Sequence, residues 1–153
     1  MATEKKETTK KPKKEIVKEV ESREKNQYWE GIGRRKTSTA RVRIWAKGKD
    51  FFINDKKLEN YFPASELRET AIAPLIETKL LAKLGVTVHV NGGGASSQAV
   101  AVRHGVAQAL VKYNLDFHKT MRDLGFLTRD PRMKERKKPG LKRARKAPQW
   151  AKR

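Results

Sequence analysis

Apolar and polar residues alternate through Ala40-Arg41-Val42-Arg43-Ile44-Trp45-Ala46, the period of a strand with one buried face. Ala40, Val42, Ile44 and Ala46 fall on one side; Arg41, Arg43 and Trp45 fall on the other. Tyr28 to Ile32 either extends this strand or forms another. Lys47 to Asp50 reads as a turn, and Phe51-Phe52-Ile53 as the strand returning from it. Asn54 to Lys57 is a second turn. Leu58 to Phe62 leads through Pro63 to Ser65, a residue type that caps helices. Leu67, Ala71 and Leu75, then Ile76, Leu80 and Leu84, suggest helix, and Pro74 implies two segments or a helix that starts near it. Gly85 closes this region. Val86 to Val90 alternates again as a strand, which Asn91-Gly92-Gly93-Gly94 ends. Ser96 or Ser97 can cap the helix that follows, where Val102, Val106, Leu110 and Tyr113 recur at helical spacing. A last short helix covers roughly Leu115 to Leu124 and ends at Gly125. The order of strands, helix, strand, helix, helix predicts an α+β fold, a small sheet with helices packed on one face.

Both ends lack this patterning. Residues 1–27 are rich in Lys, Glu and Thr and nearly devoid of apolar side chains except Ile16, Val17 and Val20. Such a segment buries too little surface to offset its ordering entropy, so a disordered N-terminal arm is expected. Residues 128–153 have few apolar side chains beyond Met133, Leu141 and Trp150, and are broken by Pro131, Pro139 and Pro148. A long extended tail is expected there, ordered only against a partner. The chain thus divides into an arm (1–27), a globular domain (28–127) and a tail (128–153).

Charge sharpens this division. The chain of 153 residues carries a formal net charge of +20, which calls for an anionic partner, with nucleic acid ahead of a membrane surface. The last 26 residues hold twelve basic and two acidic side chains, half of that excess. Six of the twelve are Arg, whose planar fork suits geometric recognition of phosphate. Several classes are disfavoured. No apolar run approaches a membrane span, and the N-terminus lacks the apolar stretch of a secretory signal. There is no Cys, and His89, His104 and His118 are scattered, so no metal or other cofactor is expected. Paired carboxylates and a Ser-His-Asp order are also lacking, and no enzymatic activity is expected.

The stretch GIGRRKTSTARVR, from Gly31 to Arg43, places two glycines before a Lys-Thr pair. It is not a nucleotide-binding P-loop, in which the lysine directly follows a glycine and a helix comes next. Here Arg35 precedes Lys36 and a strand follows. One reading is a solvated, charged strand end. The other is a grip on a nucleic-acid backbone: Arg34, Arg35, Lys36, Arg41 and Arg43 offer cationic donors, Thr37, Ser38 and Thr39 offer hydroxyls, and Gly31 and Gly33 permit close backbone approach. Trp45 either stacks or covers the sheet. The turn Gly92-Gly93-Gly94, with Gln98 in the helix beyond it, either aims backbone amides at an anion or makes a tight connection. Arg103 and His104 lie off the Val102 stripe and are expected to face outward, with His104 a surface or RNA-contacting residue. In the tail, Arg129, Arg132, Lys134, Arg136, Lys137, Lys138, Lys142, Arg143, Arg145 and Lys146 are interrupted by proline, glycine and leucine, which suggests a path through a shaped groove. A non-specific nucleic-acid compaction protein is the competing class.

The pieces GIGRRKTSTARVR, INDKKLENYF, VNGGGASSQAVAVRHGVAQAL and LTRDPRMKERKKPGLKRARKAPQWAKR occur in this order. In them the chain resembles the small-subunit ribosomal protein S nine family in its bacterial form. The resemblance implies a compact α+β domain like the second domain of ribosomal protein S five, with a left-handed βαβ crossover. It further implies a place in the head of the small ribosomal subunit, in the cytoplasm, among neighbouring head proteins. On that analogy Arg34, Arg35, Lys36, Arg41, Arg103 and the tail from Arg129 to Lys146 contact ribosomal RNA. Lys152 and Arg153 face the anticodon stem-loop of peptidyl-site tRNA. Two positions depart from the pattern: Ser97 stands where a glycine is common, and Gln108 where a basic residue is common.

Overall fold

The computed structural model describes residues 27–46 and 48–151; residues 1–26 of the N-terminal arm, Lys47 of the first turn and Lys152-Arg153 lie outside the described residues. The elements are strand β1 (Tyr28–Arg35), β2 (Ser38–Trp45), β3 (Phe51–Ile53), β4 (Lys56–Lys57), helices α1 (Leu58–Tyr61) and α2 (Ser65–Glu77), β5 (Gly85–Asn91), α3 (Ala95–Tyr113) and α4 (Phe117–Asp123). Residues 126–151 contain no helix or strand. The five strands form one mixed sheet in the order β1-β2-β5-β3-β4.

The alternation in β2 is realised: Ala40, Val42 and Ile44 are fully buried, whereas Ala46 lies past the strand end and is exposed. Val86, Val88 and Val90 of β5 bury against the same core. Above them lies α3, whose Ala99, Ala101, Val102, Val106, Ala109 and Leu110 are also fully buried. Tyr113, at the end of that stripe, is partly exposed and meets Trp29 edge-on, with ring centroids 4.8 Å apart. Helix α2 packs on α3 through Ala71 and Leu75. The helices therefore share one face of the sheet, and this is an α+β fold.

Tyr28–Arg35 is a strand of its own, antiparallel to β2 in the register Gly31↔Val42 and Gly33↔Ala40. Its two glycines face α3. A Cβ on Gly33 would collide with the Ala101 carbonyl and the Gly105 amide, and one on Gly31 with the Gly105 carbonyl. The close approach expected at these glycines is thus made by the protein's own helix rather than by a nucleic acid.

Four other expectations are corrected. Phe51–Ile53 does not return against β2, because β1 and β5 occupy both edges of that strand; β3 pairs parallel to β5 instead. Asn54 fixes this arrangement: its Oδ1 accepts from the Val90 N–H at 2.9 Å and its Nδ2 donates to the Val90 carbonyl at 3.0 Å. Asn54 and Asp55 both have positive φ, and they make the two-residue turn into β4, so Lys56 and Lys57 are paired rather than looped. Pro74 sits inside a single helix, held there by burial of Pro74 and its neighbour Leu75. That helix starts one residue past its cap, Ala64, and stops at Glu77, short of the apolar period through Leu84. The stop is a Schellman turn: Lys79 takes a φ of 55° and the Leu80 N–H reaches the Leu75 carbonyl at 3.0 Å. The same turn ends α4 at Gly125, where the Phe126 N–H reaches the Met121 carbonyl at 3.0 Å and sends the chain back along α3.

Candidate nucleic-acid interface

The β1–β2 connection is two residues long, since Arg35 pairs with Ser38. Lys36 takes a φ of 50° there, a left-handed conformation that costs a non-glycine residue about 1 kcal/mol. Gly92 and Gly93 follow β5 at the same end of the sheet, with φ of 75° and 67°. A Cβ on Gly93 would strike Ser38 Oγ, and one on Gly92 would lie 2.5 Å from the Thr37 carbonyl. Ser38 Oγ donates to the Gly92 carbonyl at 3.0 Å and lies 2.8 Å from Ser97 Oγ. Ser97 is at the third position of α3 and accepts from the Gly94 N–H at 3.1 Å; Gly94 itself is the N-cap. Ser97 therefore ties the hairpin to the start of the helix. Gln98 is held at both ends: Tyr61 Oη donates to its Oε1 at 2.9 Å, and its Nε2 donates to the Gly92 carbonyl at 3.1 Å.

The tail begins at this same end. Arg35, its side chain only 16% exposed, bonds the carbonyls of Asp130 and Arg132 at 3.2 and 3.0 Å, and its guanidinium is 3.0 Å from the Asp130 carboxylate. Arg132 forks onto the same carboxylate, with Nε and Nη2 at 3.1 and 2.8 Å. The hydrogen bonds from the Arg132 side chain, then its backbone N–H, hold the Asp130 carboxyl well below the usual carboxylate range. Arg103 lies over the Phe126 ring at 5.2 Å, so the chain leaving α4 is pinned to α3 as well.

His104 does not face outward as the sequence suggested. It is buried, because the small residues beside it let α3 press onto β1. Its Nδ1 accepts a long bond, 3.4 Å, from the Arg34 N–H, and its Nε2 is 3.0 Å from the Gln108 amide nitrogen. Burial lowers its pKa, and Arg129 and Arg103 add to the effect against a Leu127 backbone hydrogen bond. The Gln108 amide thus meets a buried neutral imidazole. His104 positions the strand and offers no exposed group to a ligand.

The structure brings Arg34, Arg35, Lys36, Thr37, Gly92, Gly93, Gly94, Gln98, Arg129 and Arg132 to one end of the sheet. Arg41 and Arg43 lie further along its open face, bound to Glu30 at 2.8 and 4.0 Å. The rest of the tail gathers around Glu135 instead. Lys138 and Arg145 reach its carboxylate at 2.9 and 2.8 Å and hold it below its ordinary pKa. Lys134, Lys137, Lys142 and Arg143 line an open pocket of about 570 Å³ beside it, while Arg136 and Lys146 lie on the exposed outside. Sequence reasoning missed Tyr61, Asp130, Glu30 and Phe126 as partners of the site. Of these only the Asp-Pro step at the tail base carried a local signal, that of a turn.

Among the described residues no cluster of His, Asp and Glu could hold a metal, and no helix is long and apolar enough to cross a membrane. The family model described as Ribosomal protein S9/S16 matches residues 33–153, from the second glycine of β1 to the last residue of the tail.

Proposed function

The chain belongs to the ribosomal protein S9/S16 family, and on that premise we propose that it grips small-subunit ribosomal RNA with one end of its sheet and the tail that leaves from there. It is a structural, RNA-binding protein of the small ribosomal subunit, a family that is not an enzyme class. Arg34, Lys36, Thr37 and the Gly92–Gly94 turn form the fixed part of the grip, with Arg129 and Arg132 at the tail base. The cations from Lys134 to Lys146 form the adaptable part. Arg35 and Gln98, whose polar groups bind the protein itself, hold these pieces in register. The head, residues 28–127, sets the position, and the tail folds onto RNA during assembly, trading ordering entropy for charge-assisted contacts. Lys152 and Arg153 meet peptidyl-site tRNA on the family resemblance, and the bacterial type rests on it too.

The observation that carries this reading is the convergence of hairpin, glycine turn and tail base at one end of a sheet in a chain of +20. A sucrose gradient of native lysate at moderate salt tests it. Co-migration with small subunits and whole ribosomes is expected. Migration as free protein or with DNA refutes it and favours the compaction protein. Small subunits lacking Lys152 and Arg153 should hold peptidyl-site tRNA more weakly; unchanged affinity removes the tRNA contact.

A further inference from the structure

The face of the sheet away from the helices is not closed by the core. Opposed residues on neighbouring strands share a face, so the pairs Tyr28↔Trp45, Glu30↔Arg43, Ile32↔Arg41, Arg43↔Thr87 and Phe52↔Thr87 place all these side chains on the open side. Tyr28 and Ile32 are 42% and 41% exposed, and neither they nor Trp45 and Phe52 belong to the buried cluster. Three rings and an isoleucine on one sheet face are more apolar surface than a solvated strand end calls for.

The charge pattern says what covers it. Arg43 lies over the Tyr28 ring, its guanidinium carbon 5.0 Å from the centroid, and Tyr28 in turn leans on Trp45 with centroids 5.1 Å apart. Arg41 is paired with Glu30, and Arg43, which also faces Glu30, lays its planar group over the Tyr28 ring rather than projecting it as a free phosphate hook. Arg43 Nε is buried without a hydrogen bond among the described residues, its nearest carboxylate oxygen, on Glu30, being 4.0 Å away. An apolar protein surface would offer these two guanidiniums no acceptor beyond the single Glu30 carboxylate they share. Unpaired RNA bases supply π faces for the rings, carbonyl and ring-nitrogen acceptors for the guanidiniums, and phosphates for the excess positive charge.

We propose that this open face, centred on Tyr28, Arg43, Trp45 and Phe52, is a stacking platform for unpaired RNA bases. This rests on the ribosomal RNA reading and adds a base-reading surface to the phosphate grip at the sheet's end. The test uses the full chain with a single-stranded RNA and a duplex RNA of equal phosphate number. Tyr28→Leu with Trp45→Leu keeps apolar cover and removes the rings. Single-strand affinity should fall on the order of ten- to a hundred-fold while duplex affinity stays within about two-fold. Tyr28→Phe with Trp45→Phe should bind as the unsubstituted chain does. If the leucine variant does not fold, Trp45 emission is read in a chain carrying Trp29→Phe and Trp150→Phe. Quenching by single strand and not by duplex supports the platform. Equal loss for both RNAs, no loss for either, or unchanged emission overturns it and leaves an apolar protein neighbour as the occupant. If the unsubstituted chain binds neither RNA, the ribosomal RNA reading itself has failed, and the platform with it.

Discussion

In the head, Val42, Ile44, Val102 and Val106 are wholly excluded from water, and the backbone of β1 touches the backbone of α3. From Met133 to Ala151 only Leu141 and Ala144 are even partly buried, and the contacts are exposed ion pairs centred on Glu135. The head is held by what it buries, whereas the tail's contacts only neutralise charge. Dry packing in the head is indifferent to salt and fixes one shape. The tail's shape depends on charges that salt screens and that phosphates can replace. Each region should therefore fail under a different insult, with Arg35 and Asp130 as the joint between them.

The largest effect is expected where the head has no slack. Gly33→Ala puts a methyl into the backbone of α3, which cannot step aside as a flexible side chain would. The loss should be on the order of 3 kcal/mol or more, seen as a lower midpoint in chemical denaturation. A midpoint within experimental error of the parent would show that β1 and α3 are not in this close contact. Removing residues 133–153 should leave that midpoint unchanged. It should instead cut RNA affinity by about a thousand-fold at low salt and flatten the plot of log K against log salt by roughly 4–9, as expected for 6–10 lost phosphate contacts. An unchanged slope would mean that the tail's cations do not meet phosphate.

A smaller effect tests the joint. Asp130→Asn removes a negative charge, so charge alone predicts tighter RNA binding. The Arg35 clamp predicts the opposite, a loss of about three- to ten-fold, because the tail no longer leaves the head in a fixed direction. Amide exchange at residues 129–132 should rise in the same variant. The clamp also has a defined acid limit. A carboxyl held low in the folded state contributes above its ordinary pKa near 3.8 and loses that contribution only as pH falls through the lower folded value. Protection of the tail base should therefore persist at pH 3, where an ordinary aspartate is mostly protonated; its loss already near pH 4 would mean that Asp130 is not held by the arginines.

These tests also mark where the sequence was informative. The strand from Ser38 to Trp45 was legible because one buried face imposes period two on every residue. The partner of Phe51–Ile53 was not, because a parallel strand is chosen by the layout of the whole sheet and leaves no local signature. Arg35 and Asp130 are 95 positions apart, so the arginine read as free while the fold commits it to the tail. The glycines of β1 illustrate a signal present but misread. Gly31 and Gly33 on a strand, with Ala101, Gly105 and Ala109 on a helix, are two matching stripes of small residues, the signature of backbones in contact. Taken alone, the strand stripe suggested room for a ligand.

His104 follows from the same contact and gives the smallest effect. Because α3 lies so close to β1, the imidazole has its Nδ1 on the Arg34 N–H, and a neutral ring then carries its proton on Nε2, which Gln108 accepts once its carboxamide is turned to present the oxygen in place of the nitrogen 3.0 Å away. Protonation would place a second N–H against the Arg34 N–H and add a cation beside Arg103 and Arg129. The folded state therefore binds this proton less readily than the unfolded chain. Between its ordinary pKa of 6.5 and the lower folded value, the unfolded state holds more protons, and stability falls as pH falls. Urea midpoints taken from pH 7.5 to pH 5 should decline more for the parent chain than for His104→Asn, even though the variant is less stable at pH 7.5. Parallel declines would place the acid sensitivity elsewhere. A similar decline in the chain lacking residues 133–153 would locate it in the head, since the cations that oppose His104 protonation, Arg103 and Arg129, both remain there.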